Sequence, residues 1–221
     1  MAFWAMCRRD LALTLREGGG WANALVFFLL VGAFSGFAIG PDLERIRAFA
    51  APILWIAALL ACQLSLDRLF AADVEQGIVE IIALGPSSLT QFVAAKCVAV
   101  WVCAVAPLLA ATPLLGVILN IAPQTLLGVV VTLLIGAPAL VLWGALGSAL
   151  SAGGKASGVL VALLATPLTA PTLIFGILGV RALESPGGWT APELRYLLAT
   201  TLIACVLAPP AAAAALKAQI D

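Results

Sequence analysis

The chain is 221 residues long, 63% of them hydrophobic, and its 11 basic and 11 acidic side chains cancel. That leaves too little polar surface to cover a water-soluble globule, and no basic field for nucleic acid or an anionic membrane surface. Histidine is absent, which excludes imidazole catalysis, imidazole zinc binding and histidine ligation of haem by this chain.

In the N-terminal segment Trp4, Cys7, Leu11 and Leu15 recur at helical spacing while Arg8, Arg9 and Arg16 face elsewhere. This pattern predicts an amphipathic elbow helix within residues 1–20, lying in the membrane interface. Gly18, Gly19 and Gly20 end it, because three glycines cannot hold a helix cheaply and permit a sharp turn. A phosphate loop would need a following lysine and a preceding strand, and neither is present. Arginines ahead of an apolar run also look like a secretion signal. Here the run continues from Trp21 to Ile39 without a small-x-small cleavage site, and further spans follow, so an uncleaved first span is expected.

A crossing needs roughly 20 apolar residues at about 1.5 Å each. Six runs qualify: Trp21–Ile39, Ala48–Leu66, Phe92–Leu119, Thr125–Leu150, Ser157–Val180 and Leu197–Leu216. Hydropathy is even throughout, so the expected architecture is all-α, one polytopic membrane domain over residues 1–221 with six transmembrane helices. An outer loop from Gly40 to Arg47 separates the first two spans.

Between spans two and three, residues 67–87 hold Asp67, Arg68, Asp73, Glu75, Gly77, Glu80 and Pro86. Leu66, Phe70, Val74, Ile78 and Ile81 form an apolar stripe, with Arg68, Glu75, Gln76 and Glu80 mostly off it. One or two short helices at the membrane face are predicted, closing at Gly85-Pro86; a solvated loop with incidental charge is the plainer reading. Ser88 to Gln91 forms a capping-box pattern that opens span three.

The later spans are punctuated by Pro107, Pro113, Pro138, Pro167, Pro171, Pro209 and Pro210. Each interior proline frees a carbonyl that a bilayer tolerates only when something else satisfies it, and Thr166, Thr169 and Thr172 stand close enough in sequence to back-bond. Kinked, packed spans are preferred to a substrate site. Gly144, Gly147, Ser148 and Ser151 make a small-residue stripe that admits a close helix. In the last outer loop Thr190-Ala-Pro-Glu193 forms a second capping box, with Trp189 and Tyr196 as interface anchors.

An N-terminus in the cytoplasm puts Arg8, Arg9, Arg16, Arg68, Lys96, Lys155 and Lys217 inside, against Arg45, Arg47, Arg181 and Arg195 outside. The excess inside favours both termini in the cytoplasm. The five cysteines include no C-x-x-C pair and read as small buried hydrophobes. Gly153-Gly154-Lys155 resembles the end of a P-loop, but Ala149 and Ala156 occupy its required glycine and hydroxyl positions. This chain is not expected to be an enzyme or to hydrolyse ATP. No charge lies deep in a span, which argues against an ion-coupled carrier. A separate cytoplasmic ATPase, pushing on the charged segment, is the motor this pattern calls for.

Asp73-x-Glu75-x-Gly77-x-x-Glu80, then Pro86 and Lys96, resembles the coupling region of ABC-2-type permeases. Ile39-Gly40-Pro41, Trp55 to Leu60, Arg68-Leu-Phe70, Leu133 to Pro138, and Pro167 to Pro171 with Leu173-Ile-Phe175 resemble the cytochrome c maturation protein B (haem exporter protein B) family. The likeness runs over nearly the whole length. It implies a multi-pass permease subunit of the bacterial inner membrane, in cytochrome c maturation system I. The implied partners are the ATPase of that system (its A protein), the haem-handling C protein, the small D protein and, indirectly, the haem chaperone E, with two copies of this chain per complex. No cofactor is implied on this chain: ATP would sit on the ATPase and haem on partner subunits. The coupling role carries over to Asp73, Glu75, Gly77 and Glu80, with Arg68 as an ion-pair partner. The rival readings are a stand-alone carrier or channel for a small apolar solute, and a non-transporting assembly scaffold.

Overall fold

The computed structural model describes residues 2–17, 19–66, 69–85, 88–152 and 158–220, and these contain helices and turns with no strand. The helices are α1 (Ala2–Glu17), α2 (Gly19–Ile39), α3 (Leu43–Leu66), α4 (Ala71–Glu75), α5 (Ile78–Leu84), α6 (Leu89–Val100), α7 (Ala106–Ile118), α8 (Pro123–Ser151), α9 (Gly158–Leu183) and α10 (Pro192–Ile220). Six helical stretches are long and apolar enough to cross a membrane, as expected. Most begin a few residues ahead of the predicted run, because polar and charged residues can start a helix before the hydrocarbon does. The first outer loop is accordingly shorter than expected. Asp42 accepts backbone N–H bonds from Glu44 (3.1 Å) and Arg45 (3.2 Å), so α3 starts there and Arg45 and Arg47 are helical. The left-handed turn before it falls on Gly40, at φ 78°.

Span three runs through α6, a π-helical turn at Trp101–Val105, and α7. Pro107 explains the turn. Its ring would press on the carbonyl four residues back, and a widened turn, with the Ala106 N–H reaching the Trp101 carbonyl, accommodates it. The threonines of α9 behave differently from expectation. Thr169 donates to the Thr166 carbonyl (3.0 Å), which no proline has freed, and the buried Thr172 hydroxyl makes no hydrogen bond among the described residues. Thr190 likewise bonds back to the Gly187 carbonyl (2.9 Å) inside a 3-10 turn, and α10 opens at Pro192.

Long helix α8 is the central post, packed along α9, α10 and α3. Two apolar layers surround it. One gathers Phe28, Leu54, Trp55, Leu115 and Leu197. The other gathers Leu66, Phe70, Val79, Phe92 and Leu216, joining the ends of α3 and α10 to the short helices α4 and α5. The small-residue stripe of α8 is used within the chain: a Cβ on Gly144 would lie 2.4 Å from Leu66 of α3. Trp55 is the tightest fit. Its ring is fully buried, its indole N–H donates to the Thr132 hydroxyl (3.1 Å), and a Cβ added at Gly136 or Gly176 would lie 2.6 or 2.2 Å from it. Gly176→Ala therefore forces a rigid, hydrogen-bonded ring to move. It should lower stability by roughly 1–3 kcal/mol, seen as a fall in melting temperature in detergent, whereas Gly20→Ala, inside α2 with open space around it, should hold or raise the melting temperature.

Candidate coupling site

The charged segment folds into two short helices that meet at Gly77, whose φ of 68° is left-handed and suits glycine. The Gly77 N–H bonds to the Val74 carbonyl (3.1 Å), closing α4, and the Ile81 N–H bonds to the Gly77 carbonyl (3.2 Å), opening α5. Val79 is fully buried and Phe70, just before α4, packs on Phe92 of α6 with ring centroids 6.2 Å apart. These apolar contacts seat the hairpin on the ends of α6 and α10.

Its acidic residues divide. Glu75 and Glu80 are exposed, alongside Ile81 and Leu84 at 69% and 91% exposure. Asp73 faces the other way: its side chain is 6% exposed and meets the Lys96 ammonium at 2.5 Å and the Arg9 guanidinium at 3.6 Å. Lys96, on the second turn of α6, is itself only 13% exposed and lies 5.5 Å over the Phe92 ring. One carboxylate thus joins α1, α4 and α6. Arg68 and Pro86 lie outside the described residues. Lys96 and Arg9 are partners that sequence reasoning missed; Lys96 stands in the family pattern, and Arg9 reads in sequence as facing away from the apolar stripe of α1 and as a charge on the inner side.

Helix α1 lies along α6. Its packed side holds Met6, Cys7, Asp10 and Thr14, and the Cys7 thiol points to the Ala95 carbonyl at 3.7 Å. Trp4, expected on that stripe, is 75% exposed instead. The packed side runs through Met6, Cys7, Asp10 and Thr14, turned away from the stripe that begins at Trp4. Burial pushes the Asp10 carboxyl above the ordinary aspartate range, with the Asp73 charge adding to this and Lys96 and Arg9 opposing it. Burial and the charge of Asp10 raise the Cys7 thiol as well. Among the described residues no group of three or more cysteine, aspartate and glutamate side chains could hold a metal ion.

The family model described as "CcmB protein" matches residues 1–219. The chain belongs to the CcmB family. Heme exporter protein B of Bradyrhizobium diazoefficiens is 42% identical, with 100% of this chain and 99% of that protein covered. The protein of the same name from Paracoccus denitrificans is 42% identical over 98% of this chain and 99% of its own length. That from Escherichia coli K12 is 38% identical over the full length of both. Family segments far apart in sequence meet in the fold: Trp55 from one, Gly136 from another and Thr172, between the paired segments of α9, converge on one point of the core.

Removing Lys96 takes away the nearer cation of a buried carboxylate and leaves it only the more distant Arg9. Lys96→Met alone should cost about 3–5 kcal/mol, read as lost thermal stability of the purified protein. Adding Asp73→Leu to it should recover most of that loss. A single variant as stable as the parent would mean that the pair is not formed.

Proposed function

We propose that this chain is the membrane permease subunit of a haem exporter complex of cytochrome c maturation system I, driven by ATP hydrolysis on a separate protein. The observation that carries this is the two-sided hairpin: an acidic and apolar outer face of Glu75, Glu80, Ile81 and Leu84, and an inner face bound to the spans through Asp73. Exposed apolar side chains ringed by acids suit a groove with an apolar floor and a basic rim. Family membership and the names of the relatives support the system to which it belongs.

In this reading both termini and the hairpin lie on the cytoplasmic side of the bacterial inner membrane. The partner ATPase holds the outer face, and its closure on ATP moves α4. Asp73 then displaces Lys96, on the second turn of α6, and Arg9, on the elbow helix. The proline-broken spans follow. Haem is cargo here. With no histidine in the chain, it is held by the haem-handling C protein and passed to chaperone E, with the small D protein in the complex. The work done on ATP is release of the loaded chaperone. Six spans without an ATPase make half a transporter, so two copies are assembled with two ATPases.

Glu75→Lys with Glu80→Lys puts like charge against a basic groove. Recovery of the ATPase in a detergent pull-down should fall at least roughly tenfold, since such juxtaposition costs several kcal/mol. The variant should keep the parent melting temperature, as both side chains are exposed. Undiminished recovery would contradict the assignment.

A further inference from the structure

Asp10 is 3% exposed on the packed face of α1, and neither carboxyl oxygen has a hydrogen-bond partner among the described residues or a surface that a water molecule touches. It borders a pocket of about 340 Å³ with Arg9, Asp73, Lys96 and Ser65, and the Ser65 hydroxyl is also buried without a partner. Among the described residues, the titratable and charged groups around it are Arg9 and Cys7 on its own helix, Asp73 on α4 and Lys96 on α6.

Charge counting alone would leave Asp10 ionised, as the fourth member of a neutral quartet. Geometry opposes this. The ammonium of Lys96 and the guanidinium of Arg9 are both directed at Asp73, at 2.5 and 3.6 Å. A buried carboxylate that accepts nothing costs several kcal/mol. Water, a metal ion or a lipid headgroup in the adjoining pocket meets almost no surface of these oxygens. A proton needs no room.

We propose that Asp10 is a proton-binding site: its carboxyl holds a proton while α1 is seated against α6 and releases it when α1 lifts away. Burial raises the affinity of the seated form for the proton above that of an exposed aspartate. The sign follows from linkage. Asp10 stabilises the seated helix fully below the ordinary aspartate range, and that contribution is lost as pH rises through the raised value. Once ionised, Asp10 competes with Asp73 for Lys96 and Arg9 and loosens the anchor of the hairpin. This last consequence rests on the proposed coupling role; the proton site does not.

Infrared difference spectra of the full-length protein in bilayers, wild type minus Asp10→Asn, test the site directly across pH. The expected result is a carbonyl stretch of a protonated acid, missing from the variant and persisting above the pH at which exposed carboxylates have ionised. The melting temperature of the wild type should also fall relative to Asp10→Asn as pH rises. A folded wild type with no such band would overturn the proposal. So would an Asp10→Asn protein that is less stable than the parent at every pH or fails to fold, because asparagine is nearly isosteric with the neutral acid. Neither measurement involves an ATPase, so failure here and failure of the coupling role are separate results.

Discussion

Asp73 is held by two cations on two different helices, in a place where water reaches little of it. A buried ion pair is weak support for net stability, since desolvating the charges offsets most of their attraction. What it provides is direction. A carboxylate that meets Lys96 at 2.5 Å and Arg9 at 3.6 Å ties the place of α4 to α6 and α1. In the proposed coupling role these contacts link α1, α4 and α6.

The elements on either side differ in stiffness. Below the hairpin, α8 with α3, α9 and α10 forms a close-packed body in which Trp55 leaves no slack. Helices α4 and α5 have only five and seven residues, too short to be stable alone, and depend on Phe70, Val79 and Asp73 for their place. Gly77 separates α4, which carries Asp73 and Glu75, from α5, which carries Glu80. In the span that carries Lys96 on its second turn, the π-turn before Pro107 marks where regular helix gives way.

The six spans follow from hydropathy because apolar length is a property of sequence alone; the spacing of Phe70, Val74, Ile78 and Ile81 predicts one or two short helices, but Ile81 faces outward and Val79 takes the buried place. Facing is harder to read. Asp73, Glu75 and Glu80 look alike as acids in a polar segment, yet one turns inward, because its partner lies 23 residues further on in the next span. That pairing needs the third dimension. Asp10 is hidden for a similar reason: among arginines it looks like surface charge, and only its place three residues from Cys7 puts it on the buried side. The threonines near Pro167 and Pro171 show the converse, where sequence proximity suggests bonds that rotamer and register do not make.

A double-mutant cycle on Asp73→Asn and Lys96→Gln, read as ATP-dependent maturation of a c-type cytochrome in cells lacking their own family member, tests this linkage most directly. If the pair transmits movement as one unit, each single change loses most of the activity and the double loses little more. That is a coupling of at least about 1 kcal/mol, roughly fivefold in rate. Strictly additive losses, or single variants as active as the parent, would contradict it.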